Sequence, residues 1–173
     1  MKSIFWLIFA ALMIGLTACS ADITLNTDAD QVAQNAAQIA DFEPPSGFSP
    51  EFSASLKGYI LVSYRVQGEN SHLYLIQSSD PQDADQLTRM LGQMVPNTRD
   101  VQSRTTVLEN RTITLRGEET TLILSEGVNS EGDRYRQATA AFTGKGGPAL
   151  VSFSQPLERW STDTVLTFLV SLR

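Results

Sequence analysis

The stretch YILVSYRVQGENSHLYLIQS, residues 59–78, decides the fold that this sequence predicts. Two runs within it, 59–66 and 72–78, are rich in Tyr, Ile, Leu and Val, which is the composition of β-strands. The segment Gly68-Glu69-Asn70 between them is typical of a turn. Since so short a connection cannot form the crossover that parallel strands need, we expect an antiparallel β-hairpin.

Further strands and helices are predicted on both sides of this hairpin. One strand precedes it, at 51–56, and five follow it, at 105–109, 112–116, 120–127, 134–143 and 149–155. The connections among the last four strands are again too short for parallel pairing. Capping residues and the spacing of apolar residues predict helices at 28–40, 80–94 and 161–172.

This order of elements predicts an α+β domain, with an antiparallel sheet of about seven or eight strands and helices packed on one side. The order is similar to that of the PsbP/Mog1-like folds. Residues 39–48, IADFEPPSGF, also resemble a segment of uncharacterised bacterial proteins. Neither resemblance implies an activity or a site residue.

The N-terminus has the pattern of a secretion signal. A single basic residue, Lys2, precedes 13 uncharged, mostly apolar residues, 4–16. That run is shorter than the roughly 20 residues that a membrane-spanning helix needs, and it matches the apolar core of a signal peptide. We therefore predict that residues 1–18 are removed.

The residues that follow the apolar run are Leu16-Thr17-Ala18-Cys19, and they resemble the lipobox of bacterial lipoproteins. The resemblance implies that the thiol of Cys19 accepts a diacylglyceryl group and that Cys19 becomes the first residue of the mature chain. The predicted membrane contact is this lipid. Ordinary secretory cleavage and an uncleaved anchor are the alternatives. Because Cys19 is the only cysteine, an intramolecular disulfide is excluded.

The mature chain is predicted to have two parts. Residues 19–38, rich in Asp, Gln, Asn and Ala, form a tether and the start of the first helix, and we expect the tether to hold the domain clear of the membrane. Residues 39–173 form a single globular domain. Residue 20 is Ser, not Asp, and the lipoprotein resemblance then implies an outer-membrane protein facing the periplasm if the host has two membranes.

The charge of the chain excludes nucleic-acid binding by a basic surface. Without residues 1–18 the chain has 12 basic and 19 acidic residues, a net charge of −7. Binding to a polyanion needs Lys and Arg clustered on one face, and here they are scattered among acids.

Candidate sites for chemistry are few. His72 is the only histidine, no nucleophile elbow accompanies it, and we interpret it as a solvated residue beside a turn. Asp80, Asp83 and Asp85 lack the spacing of a calcium loop and suit the start of a helix. The loop 144–148, GKGGP, has no helix behind it and is interpreted as a hairpin and not as a phosphate-binding loop. We expect no metal, no cofactor and no catalysis.

Phe42, Phe48 and Phe52 surround a Pro-Pro segment and are the candidate residues for contact with a partner or a ligand. The alternative is that they close the core between the first helix and the first strand. The sequence thus predicts a lipid-anchored envelope protein that binds or positions another envelope component. A periplasmic carrier of a small apolar ligand is the second interpretation, and an enzyme is the third.

Overall fold

The structure of the protein is a computed structural model that describes residues 23–94, 105–129 and 131–173. The predicted signal peptide, Cys19, and the loop predicted at 95–103 lie outside these residues. In the described part of the chain, no helix has the length and apolar character needed to cross a membrane.

Eight strands form one antiparallel sheet in the order β1-β2-β3-β4-β8-β7-β6-β5. The predicted hairpin is β3 and β4, near the middle of the sheet, with the bounds that the sequence predicts. The bounds of the eight strands are β1 Thr24–Asn26, β2 Phe48–Leu56, β3 Tyr59–Val66, β4 His72–Ser78, β5 Thr106–Leu115, β6 Glu118–Val128, β7 Arg134–Thr143 and β8 Pro148–Pro156.

Within the described residues, three α-helices accompany the sheet, and their bounds are α1 Ala29–Ala37, α2 Leu87–Met94 and α3 Thr162–Ser171. The described part of the chain also contains 3₁₀ helices at Pro81–Gln86 and at Leu157–Arg159. The predicted caps are confirmed: Asp28 accepts a hydrogen bond from the amide of Gln31, and Ser161 accepts one from the amide of Thr164. The α+β fold class with an antiparallel sheet is confirmed.

The main core lies between one face of the sheet and helices α1 and α3. Its strand residues include Val62, Leu75 and Val151, all inaccessible to solvent, and the helices contribute Val32 and Phe168. The two helices cover this face together. Burial of this apolar area is the main force that holds the helices on the sheet.

A second, smaller apolar cluster involves helix α2. Leu61, Ile76 and Leu150 pack there with Leu87 and Leu91 of α2. These strand residues alternate with those of the main core, so they point to the opposite face of the sheet. Helix α2 therefore adds to the sheet on the face that α1 and α3 leave open.

The boundary predicted between tether and domain is wrong. Residues Thr24–Asn26 form the edge strand β1, which pairs with β2, and Val32 and Ala36 of α1 are buried in the main core. The folded domain thus includes Thr24 and does not begin at residue 39. A three-residue edge strand has too few residues to show a period of two, so the sequence pattern could not reveal it.

The two strands predicted at 105–109 and 112–116 are one strand, β5. Asn110 and Arg111 pair with Ile123 and Leu122 of β6 and do not form a turn. The irregularity lies earlier, at Leu108, where the register with β6 shifts by one residue. A bulge of this kind bends a strand without ending it.

Candidate functional site

Phe42 and Phe48, two of the three aromatic residues predicted as contacts, pack against the main core. The ring of Phe42 lies 5.6 Å from Tyr64 and 5.7 Å from Phe168, both in edge-to-face geometry. Phe48 lies 5.2 Å from Phe153. These two residues therefore close the core between helix and sheet, which is the alternative that the sequence left open.

Phe52 does not join them. It packs against the smaller cluster on the opposite face of the sheet. Phe48 and Phe52 are four residues apart, so in a regular strand both would point the same way. The register shift between Pro50 and Phe52 reverses this alternation, and the three aromatic side chains form no common surface.

The same bulge places Glu51 in a polar cluster on the face that α1 and α3 leave open. A carboxylate oxygen of Glu51 accepts a 2.6 Å hydrogen bond from Ser63. The guanidinium of Arg65 lies 3.5 Å from the other oxygen. The Nδ1 atom of His72 lies 3.7 Å from Glu51, and the His72 ring is stacked on Tyr74 with centroids 5.6 Å apart. Five side chains from β2, β3 and β4 thus meet at one place.

His72 is half-buried here, which corrects the prediction that it is a solvated residue beside a turn. Burial lowers the pKa of His72, and the nearby Arg65 lowers it further, while Glu51 acts in the opposite direction. The Nδ1 atom is buried and has no hydrogen-bond partner. Cross-strand pairing with Arg65 and Ser154, on the two neighbouring strands, produces this environment.

The chemistry available to this cluster is limited by access. Ser63 has the hydroxyl that a nucleophile would need, but it is completely buried and its proton is donated to Glu51. Burial also raises the pKa of Tyr74. The cluster is suited to stabilising the bulge and the strand register, because the negative charge of Glu51 lies beside the positive charge of Arg65. The sequence gives little sign of it, because Glu51 and His72 are 21 positions apart and meet only through the sheet.

The acidic residues at the start of the second predicted helix have local partners. Asp80 accepts a hydrogen bond from the amide of Gln82 and caps the 3₁₀ helix. Asp83 accepts one of 2.7 Å from Ser78, and its hydrogen bonds with Tyr59 and Ser78 lower its pKa. Asp85 is exposed. Within residues 23–94, 105–129 and 131–173, no group of three or more His, Cys, Asp or Glu residues is arranged to hold a metal ion.

The glycine-rich loop at 144–148 connects β7 to β8, as the hairpin interpretation predicts. Its lysine, Lys145, donates hydrogen bonds to Asp41 at 2.6 Å and to the carbonyl oxygen of Ala37 at 3.0 Å. That carbonyl belongs to the last turn of α1, where a cation complements the helix dipole. Lys145 therefore joins the hairpin to the first helix.

The described interior holds little space where the last helix meets the sheet. A pocket between Trp160, Val165 and the strands β6 and β7 has a volume of about 10 Å³. That space has room for about one water molecule and not for a larger ligand. A larger cleft of about 550 Å³ is open to solvent and lies between β5 and α3, lined by Ile113, Leu166 and Val170.

Large apolar side chains are exposed at both edges of the sheet. At the β1 edge, Ile23 and Leu25 are 62% and 64% exposed. At the β5 edge, Val107 and Leu108 are 55% and 49% exposed, and Val170 of the adjoining helix is 74% exposed. Exposed apolar residues gathered at one edge are typical of contact surfaces. The sequence did not single them out, because exposure at an edge depends on which strands are outermost.

No protein-family model matches this sequence, and no curated protein matches it. Among solved structures, the chain is similar to the solution structure of cyanobacterial PsbP (CyanoP) from Synechocystis sp. PCC 6803. The two chains are 15% identical with a TM-score of 0.45, over 91% of this chain and 95% of that chain. This structural neighbour is PsbP-like, the group of folds that the element order resembles.

Proposed function

We propose that the protein is a lipid-anchored component of the bacterial cell envelope that binds or positions another envelope component without catalysing a reaction. The observation that carries the proposal is the short distance along the chain between the lipobox-like motif and the sheet. Only four residues separate Cys19 from Thr24, the first residue of β1. A lipid on Cys19 would then hold the folded domain directly.

The reach of this connection is small. Five extended residues span at most about 17 Å, so β1 lies close to the bilayer surface when Cys19 is inserted. The exposed side chains of Ile23 and Leu25 are next to the anchor, where they can enter the interface between headgroups and acyl chains. The expected tether of about 20 residues is therefore replaced by a short link.

Binding to a partner is better supported than carriage of an apolar ligand. A carrier of that kind needs an apolar cavity of roughly 300 Å³ or more that encloses most of its ligand. The pocket beneath α3 holds about 10 Å³, and the larger cleft beside β5 is open to solvent. The exposed apolar side chains at the sheet edges favour contact with another surface.

The proposed location is the outer membrane, facing the periplasm, in a host with two membranes. Ser20 follows the proposed lipid site. It lacks the carboxylate of the Asp that sorting machinery of the enterobacterial kind recognises when it retains a lipoprotein in the inner membrane. Density-gradient separation of the two membranes tests this location. Protein confined to the inner membrane would contradict it, and Ser20→Asp is the matched variant that should move the protein there.

Lipidation is tested by the mass of the N-terminal peptide of the full chain, purified from bacterial membranes. We expect cleavage before Cys19 and a diacylglyceryl group on its sulfur. Cys19→Ala should give an unprocessed chain with no lipid, because no other residue has a thiol. A cleaved, unmodified Cys19 in the native chain would refute the anchor. Fatty acid retained on Cys19→Ala would do the same.

The choice between binding and carriage is tested separately. Protein purified without organic solvent is analysed by native mass spectrometry. We expect the mass of the polypeptide with its covalent lipid and nothing more. A stoichiometric apolar molecule that is released on denaturation would favour the carrier and refute the binding proposal.

A further inference from the structure

We propose that β5 is a homodimer interface, in which the β5 strands of two copies of this chain pair antiparallel about Asn110. The two sheets then join into one sheet of sixteen strands, with a twofold axis perpendicular to it. This inference is independent of the lipid on Cys19.

The free edge of β5 supplies the backbone groups for this pairing. Among the described strands, β5 is last in the sheet order and pairs only with β6. It is ten residues long, whereas β1 at the other edge has three. The sequence of β5, TVLENRTITL, contains no proline or lysine, and its bulge at Leu108 leaves the strand from Glu109 onwards in regular pairing. The edge is therefore competent to pair.

The side chains of β5 are complementary to those of a second copy. Glu109 and Arg111 pair with Leu124 and Leu122 of β6, so both point to the same face of the sheet, on either side of Asn110. When Asn110 lies opposite Asn110 of the second copy, each Glu109 lies opposite an Arg111. Arg111 already lies 3.9 Å from Glu109 of its own chain. The second copy adds two cross-strand ion pairs, and opposite charges at directly facing positions stabilise a strand pair.

Neighbouring registers are disfavoured. Residues that face each other in an antiparallel pair point to the same face of the sheet. The twofold axis must therefore pass through a residue of β5, and a different register places the axis at a different residue. An axis through Glu109 places two carboxylates opposite each other, and one through Arg111 places two guanidinium groups opposite each other. Both arrangements are repulsive. The charge pattern therefore favours an axis through Asn110 over an axis through either neighbouring residue.

Apolar residues around the edge are covered in the same arrangement. Val107 and Leu108 lie on β5 itself and are about half exposed in the single chain. The cleft between Ile113 and Val170 opens beside β5, on the face that α3 covers. The β5 strand of the second copy adds its own residues along this cleft, and apolar area that faces solvent in the monomer is removed from water.

The charge pairs provide the main test, with native mass spectrometry of the full chain purified in detergent. We expect the native chain to be a dimer. Glu109→Arg and Arg111→Glu should each be monomeric, because like charges then face each other twice. Their equimolar mixture should give a heterodimer, and the double variant Glu109→Arg with Arg111→Glu should be a homodimer again. Glu131→Arg, an exposed charge in the β6–β7 turn, is the matched control and should stay dimeric.

The position of the axis has its own test. Facing residues in an antiparallel pair have Cα atoms about 4.5–5.5 Å apart, within the range that a disulfide spans. In a Cys19→Ala background, Asn110→Cys should oxidise to a covalent dimer, whereas Glu131→Cys should not.

Four results would overturn the proposal. They are a monomeric native chain, dimers that persist in both single charge variants, no heterodimer in the mixture, and a strand of another protein found on β5. Circular dichroism of each variant shows that the fold is retained, and the same mass spectra report the lipid on Cys19, so failure of the anchor is seen separately.

Discussion

Phe153 is the residue whose replacement tests the described core most directly. It lies in β8, is inaccessible to solvent, and its ring is 5.2 Å from Phe48 and 6.2 Å from both Trp160 and Phe168. These contacts join β8 to Phe48 of β2 and to Phe168 of α3. Phe153→Ala removes the ring from a site where β2, β8 and α3 converge.

The expected cost of Phe153→Ala is about 4 kcal/mol, since deletion of a buried aromatic ring loses its transfer free energy and leaves a cavity. Urea unfolding of a soluble form that begins at Ser20 measures the change. With a slope of about 2 kcal/mol per molar urea, the midpoint should fall by about 2 M. Total stabilities of domains are about 5–15 kcal/mol, so the variant should remain folded.

The matched control is Ile23→Ala, because Ile23 is 62% exposed and packs little. Its unfolding midpoint should change by no more than about 0.25 M, which corresponds to roughly 0.5 kcal/mol. If Phe153→Ala were no more destabilising than Ile23→Ala, the described packing of β8 against α3 would be incorrect.

Three further outcomes are expected. Burial lowers the pKa of His72, so the unfolded chain binds a proton at His72 more strongly than the folded chain does. The free energy of unfolding should therefore fall as the pH drops below about 6.5. In urea titrations at several pH values, His72→Phe should reduce this loss. The hydrogen bond from Lys145 lowers the pKa of Asp41, so Lys145→Met should raise that pKa towards its usual value in an NMR titration, and an unchanged value would contradict the contact. Gly147 has a φ of +146° and faces the carbonyl of the last residue of β4, so Gly147→Ala should lower the melting temperature more than Gly68→Ala, where an added Cβ meets nothing within 4 Å.

Much of the fold could be predicted from the sequence, because the relevant forces act between neighbours along the chain. The bounds of β3 and β4 follow from apolar runs on either side of a turn, and the caps Asp28 and Ser161 are recognised by side chains that bond to amides three residues later. The lipobox-like motif at Cys19 is also a local pattern, and it remains a prediction.

Other features were decided only by tertiary structure. A bulge at Glu51 turns Phe52 away from Phe48, and pairing of three strands buries His72 beside Glu51 and Arg65. These outcomes depend on which distant segments become neighbours in the sheet. A sequence pattern reports the period of each strand, but it does not contain the strand order that makes β5 an edge, and exposure follows from that order.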